Sequence, residues 1–118
     1  MNYKEIIFFE KIFTNFLAKS SRQKHWKIQY YQLKGTRTTY DCAFIGYETS
    51  QLGKHGIHYC LQNHQFYYGT RKNSTESTLI KLTPAQEFKI PTDIKQALFR
   101  AISSKKAILP FQRRKGAE

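Results

Sequence analysis

Acidic side chains are scarce in this sequence of 118 residues, where eight Asp and Glu stand against 20 Lys and Arg and leave a net charge of +12. No segment approaches the roughly 18 consecutive apolar residues that a membrane-spanning helix needs, so we expect no membrane partner. The apolar run Ile6–Phe9 is followed by Glu10 and Lys11 and by no small-residue cleavage site. The sequence therefore predicts no targeting signal and a cytoplasmic protein.

Cysteines are also few, and the common catalytic motifs are missing. Cys42 and Cys60 are the two cysteines, and without a signal peptide we expect reduced, buried thiols. His55, His58 and His64 lie near Cys60, but their spacing matches no usual zinc-binding pattern. The sequence has no glycine-rich phosphate loop, no nucleophile elbow and too few acids for a two-metal nuclease. We therefore expect no metal and no cofactor.

The apolar periodicity predicts one α+β domain over residues 1–103 and a basic C-terminal tail over residues 104–118. Apolar residues recur at helical spacing over residues 3–17, which predicts an N-terminal helix. Alternating apolar and polar residues from Trp26 onward, then β-rich segments at 39–47, 56–62, 65–70 and 78–83, predict an antiparallel sheet of four to five strands. Residues 92–103 predict a C-terminal helix, with Thr92 as its N-cap. We expect both helices on the apolar face of the sheet.

The sheet should leave its other face free. Asn63 and His64 fit a two-residue hairpin loop, because Asn tolerates the positive φ that such turns require, and this register pairs Cys60 with Tyr67. Strand alternation then gives the core face Ile57, Tyr59, Leu61, Phe66 and Tyr68. The same alternation gives the free face Lys27, Gln29, Tyr31, His58, Gln62, Gln65 and Tyr67.

Positive charge is concentrated in two stretches, Lys11–Tyr40 and Lys95–Ala117, which contain no acidic residue. Such stretches can follow a phosphate backbone, and exposed tyrosines beside Lys and Gln can stack on unpaired bases. We therefore expect a small, non-enzymatic nucleic-acid-binding protein that contacts single-stranded nucleic acid or RNA through the free sheet face. The predicted contact residues are Lys19, Arg22, Lys24, Lys27, Tyr31, Lys34, Arg37, Tyr67, Arg71, Lys72, Lys105, Lys106, Arg113, Arg114 and Lys115.

Two alternatives stay open. A small, metal-independent ribonuclease of the toxin type needs only groups that move protons and cations that hold the phosphate. His58, His64 and Tyr67 are its candidate catalytic residues, with Arg71 on the same face. The other alternative is a basic subunit or inhibitor that docks on a larger protein or nucleoprotein assembly, with Ile108–Phe111 as the docking segment.

Overall fold

An antiparallel sheet and three helices make up the fold of the residues that the structure describes. The computed structural model describes residues 2–20, 26–73 and 75–108. In chain order the elements are α1 (Tyr3–Lys19), β1 (Lys27–Lys34), β2 (Thr39–Thr49), β3 (Gly53–Cys60), β4 (Gln65–Arg71), β5 (Ile80–Lys81), α2 (Pro84–Phe88), α3 (Thr92–Ser104) and β6 (Ala107–Ile108). The strands pair in the order β5-β4-β3-β2-β1-β6, and every neighbouring pair is antiparallel. The predicted α+β class is confirmed. The short strand β6, which extends the sheet beyond β1, lies in the segment expected to be a tail.

Helix α1 begins at a complete capping box. The Asn2 side chain accepts a hydrogen bond from the Glu5 backbone N at 2.9 Å, and the Glu5 carboxylate accepts one from the Asn2 backbone N at 3.3 Å. Phe9, Phe13 and Phe16 share one face of the helix and are buried. The buried stripe is narrower than the spacing predicts, because the first two turns expose Tyr3, Ile6, Ile7 and Phe8. No helix in the described ranges is long and apolar enough to span a bilayer.

One hydrophobic core lies between the helices and one face of the sheet. Helix α3 contributes Ile94 and Leu98, and α1 contributes its three buried phenylalanines. Phe16 stacks on Trp26 with ring centroids 4.4 Å apart. The sheet contributes Ile28, Ala43, Ile45, Ile57, Tyr59, Phe66 and Tyr68. Both α1 and α3 therefore cover the apolar face, as the sequence predicts.

The hairpin that joins β3 to β4 differs from the predicted register by two residues. Cys60 pairs with Gln65 rather than with Tyr67, so the loop is the four-residue segment Leu61–His64. The positive φ in this loop belongs to His64, at 52°. Because a shift of two residues is even, the side chains within β3 and β4 stay on their predicted faces. The prediction for Leu61 is wrong, because this residue lies in the loop after β3 and is exposed rather than part of the core.

Three glycines lie side by side across the middle of the sheet, since Gly46 pairs with Gly56 and Gly56 pairs with Gly69. Their φ angles are 152°, 150° and 146°, a region that residues with a side chain rarely adopt. A Cβ atom at any of the three would collide with the backbone of a neighbouring strand. The strands therefore leave regular extended geometry along this line, as glycines in strongly bent sheets allow.

Replacing Gly56 with alanine is expected to lower the free energy of unfolding by about 2 kcal/mol, because the strained φ and the backbone collision act together. Urea unfolding measures this change. Gly35→Ala is the control, since Gly35 lies in the turn after β1 and is not among the residues with positive φ. Equal losses for the two variants would contradict the assigned role of the glycine row.

Candidate functional site

A cleft of about 300 Å³ opens on the sheet face that the helices leave free. Tyr31 on β1 and Leu79 beside β5 both line it, although three strands separate β1 from β5 in the sheet. This face is therefore concave. The lining residues are Tyr31, Leu33, Tyr40, Cys42, His58, Tyr59, Cys60, Asn63, Tyr67, Arg71, Ser77 and Leu79.

Tyr31 and His58 form the centre of the cleft. His58 Nε2 lies 3.1 Å from the Lys54 carbonyl oxygen, which can only accept, so this nitrogen carries the proton. Nδ1 then accepts a hydrogen bond from the Tyr31 hydroxyl at 2.7 Å. Burial lowers the pKa of His58 to about 3, so the ring is neutral near pH 7. Both ring nitrogens are engaged in holding β3 and Tyr31 in place.

Long side chains cover the floor of the cleft in place of a helix. The Phe44 ring stacks on His58 at a centroid distance of 5.4 Å, and both residues are buried. Lys27 Nζ lies 2.6 Å and Lys54 Nζ lies 3.0 Å from the Glu48 carboxylate, so the two lysines share one acid. Lys54 Nζ also lies 5.3 Å from the centre of the Tyr31 ring. The two lysines therefore lie over the aromatic residues of the floor, with their side chains largely buried.

Positive charge collects beside the cleft. An adjoining cavity, also of about 300 Å³, shares Tyr31, Leu33 and Arg71 with it and is further lined by Gln32, Lys34, Lys54, Lys72 and Asn73. No acidic residue in the described ranges lines either cavity. The two cavities thus form one continuous surface with an aromatic interior and a basic rim, which we define as Lys34, Lys54, Arg71 and Lys72.

Arg71 is the cation that belongs to both cavities. Its Nε atom is buried without a hydrogen-bond partner, and within the described part of the chain Arg71 forms no ion pair. Arg71 and Tyr31 line the same cleft; burial raises the pKa of Tyr31, and the positive charge of Arg71 offsets part of that rise. A cation without a counter-ion at the edge of an aromatic cleft is a candidate anion-binding group.

Several predicted contact residues meet at this surface. Tyr31, Tyr67 and Arg71 line the cleft, while Lys34 and Lys72 lie on the basic rim. The free sheet face also carries Lys27, whose charge is paired with Glu48.

Other predicted contact residues lie elsewhere. Lys19 ends α1, Arg37 lies in the exposed turn after β1, and Lys105 and Lys106 follow α3. The Lys106 carbonyl accepts a hydrogen bond from Tyr30 N at 3.2 Å, which leads the chain toward β6. Outside the described residues are Arg22, Lys24, Arg113, Arg114, Lys115 and residues 109–111 of the expected docking segment. Phosphate binding by the two basic stretches therefore stays a prediction.

The cleft contains part of the arrangement of side chains that the ribonuclease alternative predicts. His58 and Tyr67 are direct partners across β3 and β4, and Arg71 lines the same cleft. However, His58 is buried and neutral, and both its nitrogens are occupied, so it is poorly placed to exchange a proton with a substrate. His64 lies on the exposed loop and lines neither cavity.

Lys54, Tyr40 and the two cysteines belong to this surface but are not among the site residues predicted from the sequence. The prediction omits Lys54 because it starts the third strand at Gly56, whereas β3 starts at Gly53. Alternation extended back from His58 would have put Lys54 on the free face. Alternation along β2 likewise puts Tyr40 and Cys42 on one face.

Comparison of the chain with protein-family models, with curated proteins and with solved structures found no match.

Proposed function

We propose that the protein binds single-stranded nucleic acid, with unpaired bases in the aromatic cleft and phosphates along the basic rim. The observation that carries this proposal is the joined surface itself, which combines an aromatic interior with four lining cations and no lining acid among the described residues. Of the four cations, Lys54 is paired with Glu48, whereas Lys34, Arg71 and Lys72 form no ion pair in the described part of the chain. Nucleic acid is the abundant cellular polyanion that offers both an apolar ring and a phosphate at each repeat.

The tyrosines of the cleft favour a single strand over a duplex. Tyr31, Tyr40 and Tyr67 lie inside a concave face, where an unstacked base can enter and stack. In a duplex the base faces are stacked on one another, so only the phosphates would reach the rim. We therefore expect binding to depend on both base and phosphate for single strands and on phosphate alone for duplexes.

Arg71 supports the same function because its position links the two parts of the surface. It reaches the cleft beside Tyr31 and also lines the cavity that contains Lys34 and Lys72. A guanidinium can hold a phosphate with two parallel hydrogen bonds while its plane packs against a ring. One side chain can thus contact the phosphate of the nucleotide whose base enters the cleft.

Fluorescence anisotropy with labelled single-stranded RNA, single-stranded DNA and duplex DNA at several salt concentrations tests this function. We expect both single strands to bind more tightly than the duplex. If Lys34, Arg71 and Lys72, the rim cations without an ion pair among the described residues, all meet phosphates, log Kd should rise with log salt with a slope of roughly 2. The labelled RNA should remain intact after incubation.

Two results would speak against the proposal. Tighter binding to duplex than to single strands would contradict the proposed role of the cleft in binding unpaired bases. No binding to any nucleic acid at low salt would favour the alternative of a basic subunit that docks on an acidic protein.

A further inference from the structure

Cys42 and Cys60 are direct partners across β2 and β3, and both line the cleft. The Leu61 backbone N–H donates to the Asp41 carbonyl at 2.9 Å, while the Asp41 N–H donates to the Gln62 side chain at 2.6 Å. The one backbone bond between these directly opposite residues still marks a hydrogen-bonding position of the ladder. Hydrogen-bonded and non-hydrogen-bonded pairs alternate along antiparallel strands, so Cys42 and Cys60 form a non-hydrogen-bonded pair. The Cα atoms of such a pair lie about 4.5 Å apart. A disulfide spans Cα separations of about 4.4–6.8 Å, so this pair lies at the short end of the permitted range.

The two thiols are free, and both line the cleft, through which a small molecule can approach them. Their exposed fractions are 2% for Cys42 and 6% for Cys60, which excludes bulky reagents but leaves an approach for a molecule close to water in size. Hydrogen peroxide meets that requirement. A sulfur oxidised here would have the second sulfur directly opposite, at an effective concentration that no solution thiol reaches.

We propose that Cys42 and Cys60 are a modification site, a thiol pair that peroxide converts into a reversible cross-strand disulfide on the cleft floor. One sulfur attacks a peroxide oxygen, the O–O bond breaks, and a sulfenic acid and one water form. The second sulfur attacks the sulfenic sulfur, the S–O bond breaks, and the S–S bond forms as a second water leaves. The two sulfurs lose two electrons to the peroxide, and the two thiol protons end in the two waters.

The site would be reversible because a directly opposed pair lies at the short end of disulfide geometry, and strained disulfides are the easily reduced ones. It would also affect the cleft. Tyr31 is the direct partner of Cys42 across β1 and β2, and the Tyr31 hydroxyl donates to His58. A bond that draws the Cys42 sulfur toward Cys60 removes a neighbour of Tyr31, so the Tyr31–His58 hydrogen bond should change.

The test treats the folded, full-length protein with hydrogen peroxide and follows intact mass, free-thiol content and the ring-nitrogen NMR signals of His58. We expect a monomer lighter by two hydrogen atoms, a peptide that links Cys42 to Cys60, and shifted His58 signals. Dithiothreitol should restore all three. Cys42→Ser and Cys60→Ser should each prevent the link and the shift, and the wild-type result decides the question even if a variant folds poorly.

Three results would overturn the proposal. The first is that the folded protein keeps both thiols reduced at a peroxide concentration that links them in the urea-unfolded chain. The second is that the sulfurs are oxidised without forming a bond within one molecule, either separately or as a link between two molecules. The third is that the bond forms while the His58 signals stay unchanged. None of these readouts uses nucleic acid, so they are independent of whether the proposed binding function holds.

Discussion

Arg71→Met is expected to weaken binding of a single-stranded oligonucleotide by about 2 kcal/mol, roughly thirtyfold in Kd, because it removes a charge-assisted contact to phosphate. The same substitution should leave the free energy of unfolding unchanged or raise it. In the free protein the Arg71 Nε atom is buried without a partner, and no ion pair among the described residues offsets the charge. A buried polar atom without a partner costs stability, and methionine removes it.

Anisotropy titration and urea unfolding of the same variant measure the two effects. Arg100→Met is the matched control, because Arg100 is exposed on α3, on the helix side of the sheet. It removes one positive charge and should change Kd by much less. Arg71→Lys keeps the charge and should fall between Arg71→Met and the wild type. A loss of stability in Arg71→Met with no change in Kd would identify Arg71 as a structural residue and contradict its assigned role.

The second large effect is a pH dependence of stability that comes from His58. Its pKa falls from an unfolded value of about 6.5 to about 3 in the folded protein, chiefly because of burial. Between these values the unfolded chain binds one proton more than the folded chain. Stability is therefore complete above about pH 6.5 and is lost as the pH falls, by about 1.4 kcal/mol per pH unit.

His58→Phe separates this contribution from the others. Phenylalanine can still stack on Phe44, but the Tyr31 hydroxyl and the Lys54 carbonyl lose their partner. We expect the variant to be less stable than the wild type near pH 7 by about 2 kcal/mol. That difference should shrink steadily as the pH is lowered toward about 5. Burial also lowers the pKa of His55, but His55 is present in both proteins and cancels in the comparison.

Urea unfolding of both proteins at several pH values measures the difference. A constant difference between the two proteins across this range would show that His58 does not stay neutral when folded. It would also make His58 a candidate proton-transfer group for the ribonuclease alternative.

Features that depend on local periodicity were predictable from the sequence. The spacing of Phe9, Phe13 and Phe16 indicates a buried helical face, and strand alternation puts Ile57 and Tyr68 in the core. Even with the wrong hairpin register the side chains within β3 and β4 keep their predicted faces, because the error is two residues. Leu61 is the exception, since the longer loop takes it out of the strand and exposes it.

The composition of the candidate site was less predictable because it depends on pairing between strands. The alignment of Gly46, Gly56 and Gly69 exists only once two registers are known, and the concave face accompanies it. The meeting of Tyr31 with His58 also joins residues that are 27 positions apart. Charge along the chain indicates two basic stretches, whereas the basic rim takes only Lys34 from them and adds Lys54 on β3 and Arg71 and Lys72 at the end of β4.

The most direct test of single-strand binding at the cleft is an NMR titration of the isotope-labelled protein with a short oligothymidylate and a short oligouridylate. We predict that the largest shifts include the backbone signals of Tyr31, Tyr40, Tyr67 and Arg71, with smaller shifts at Lys34 and Lys72. The exposed apolar turns of α1 should be unaffected. Shifts confined to α1 or to the chain after α3, with the cleft signals unchanged, would contradict the account.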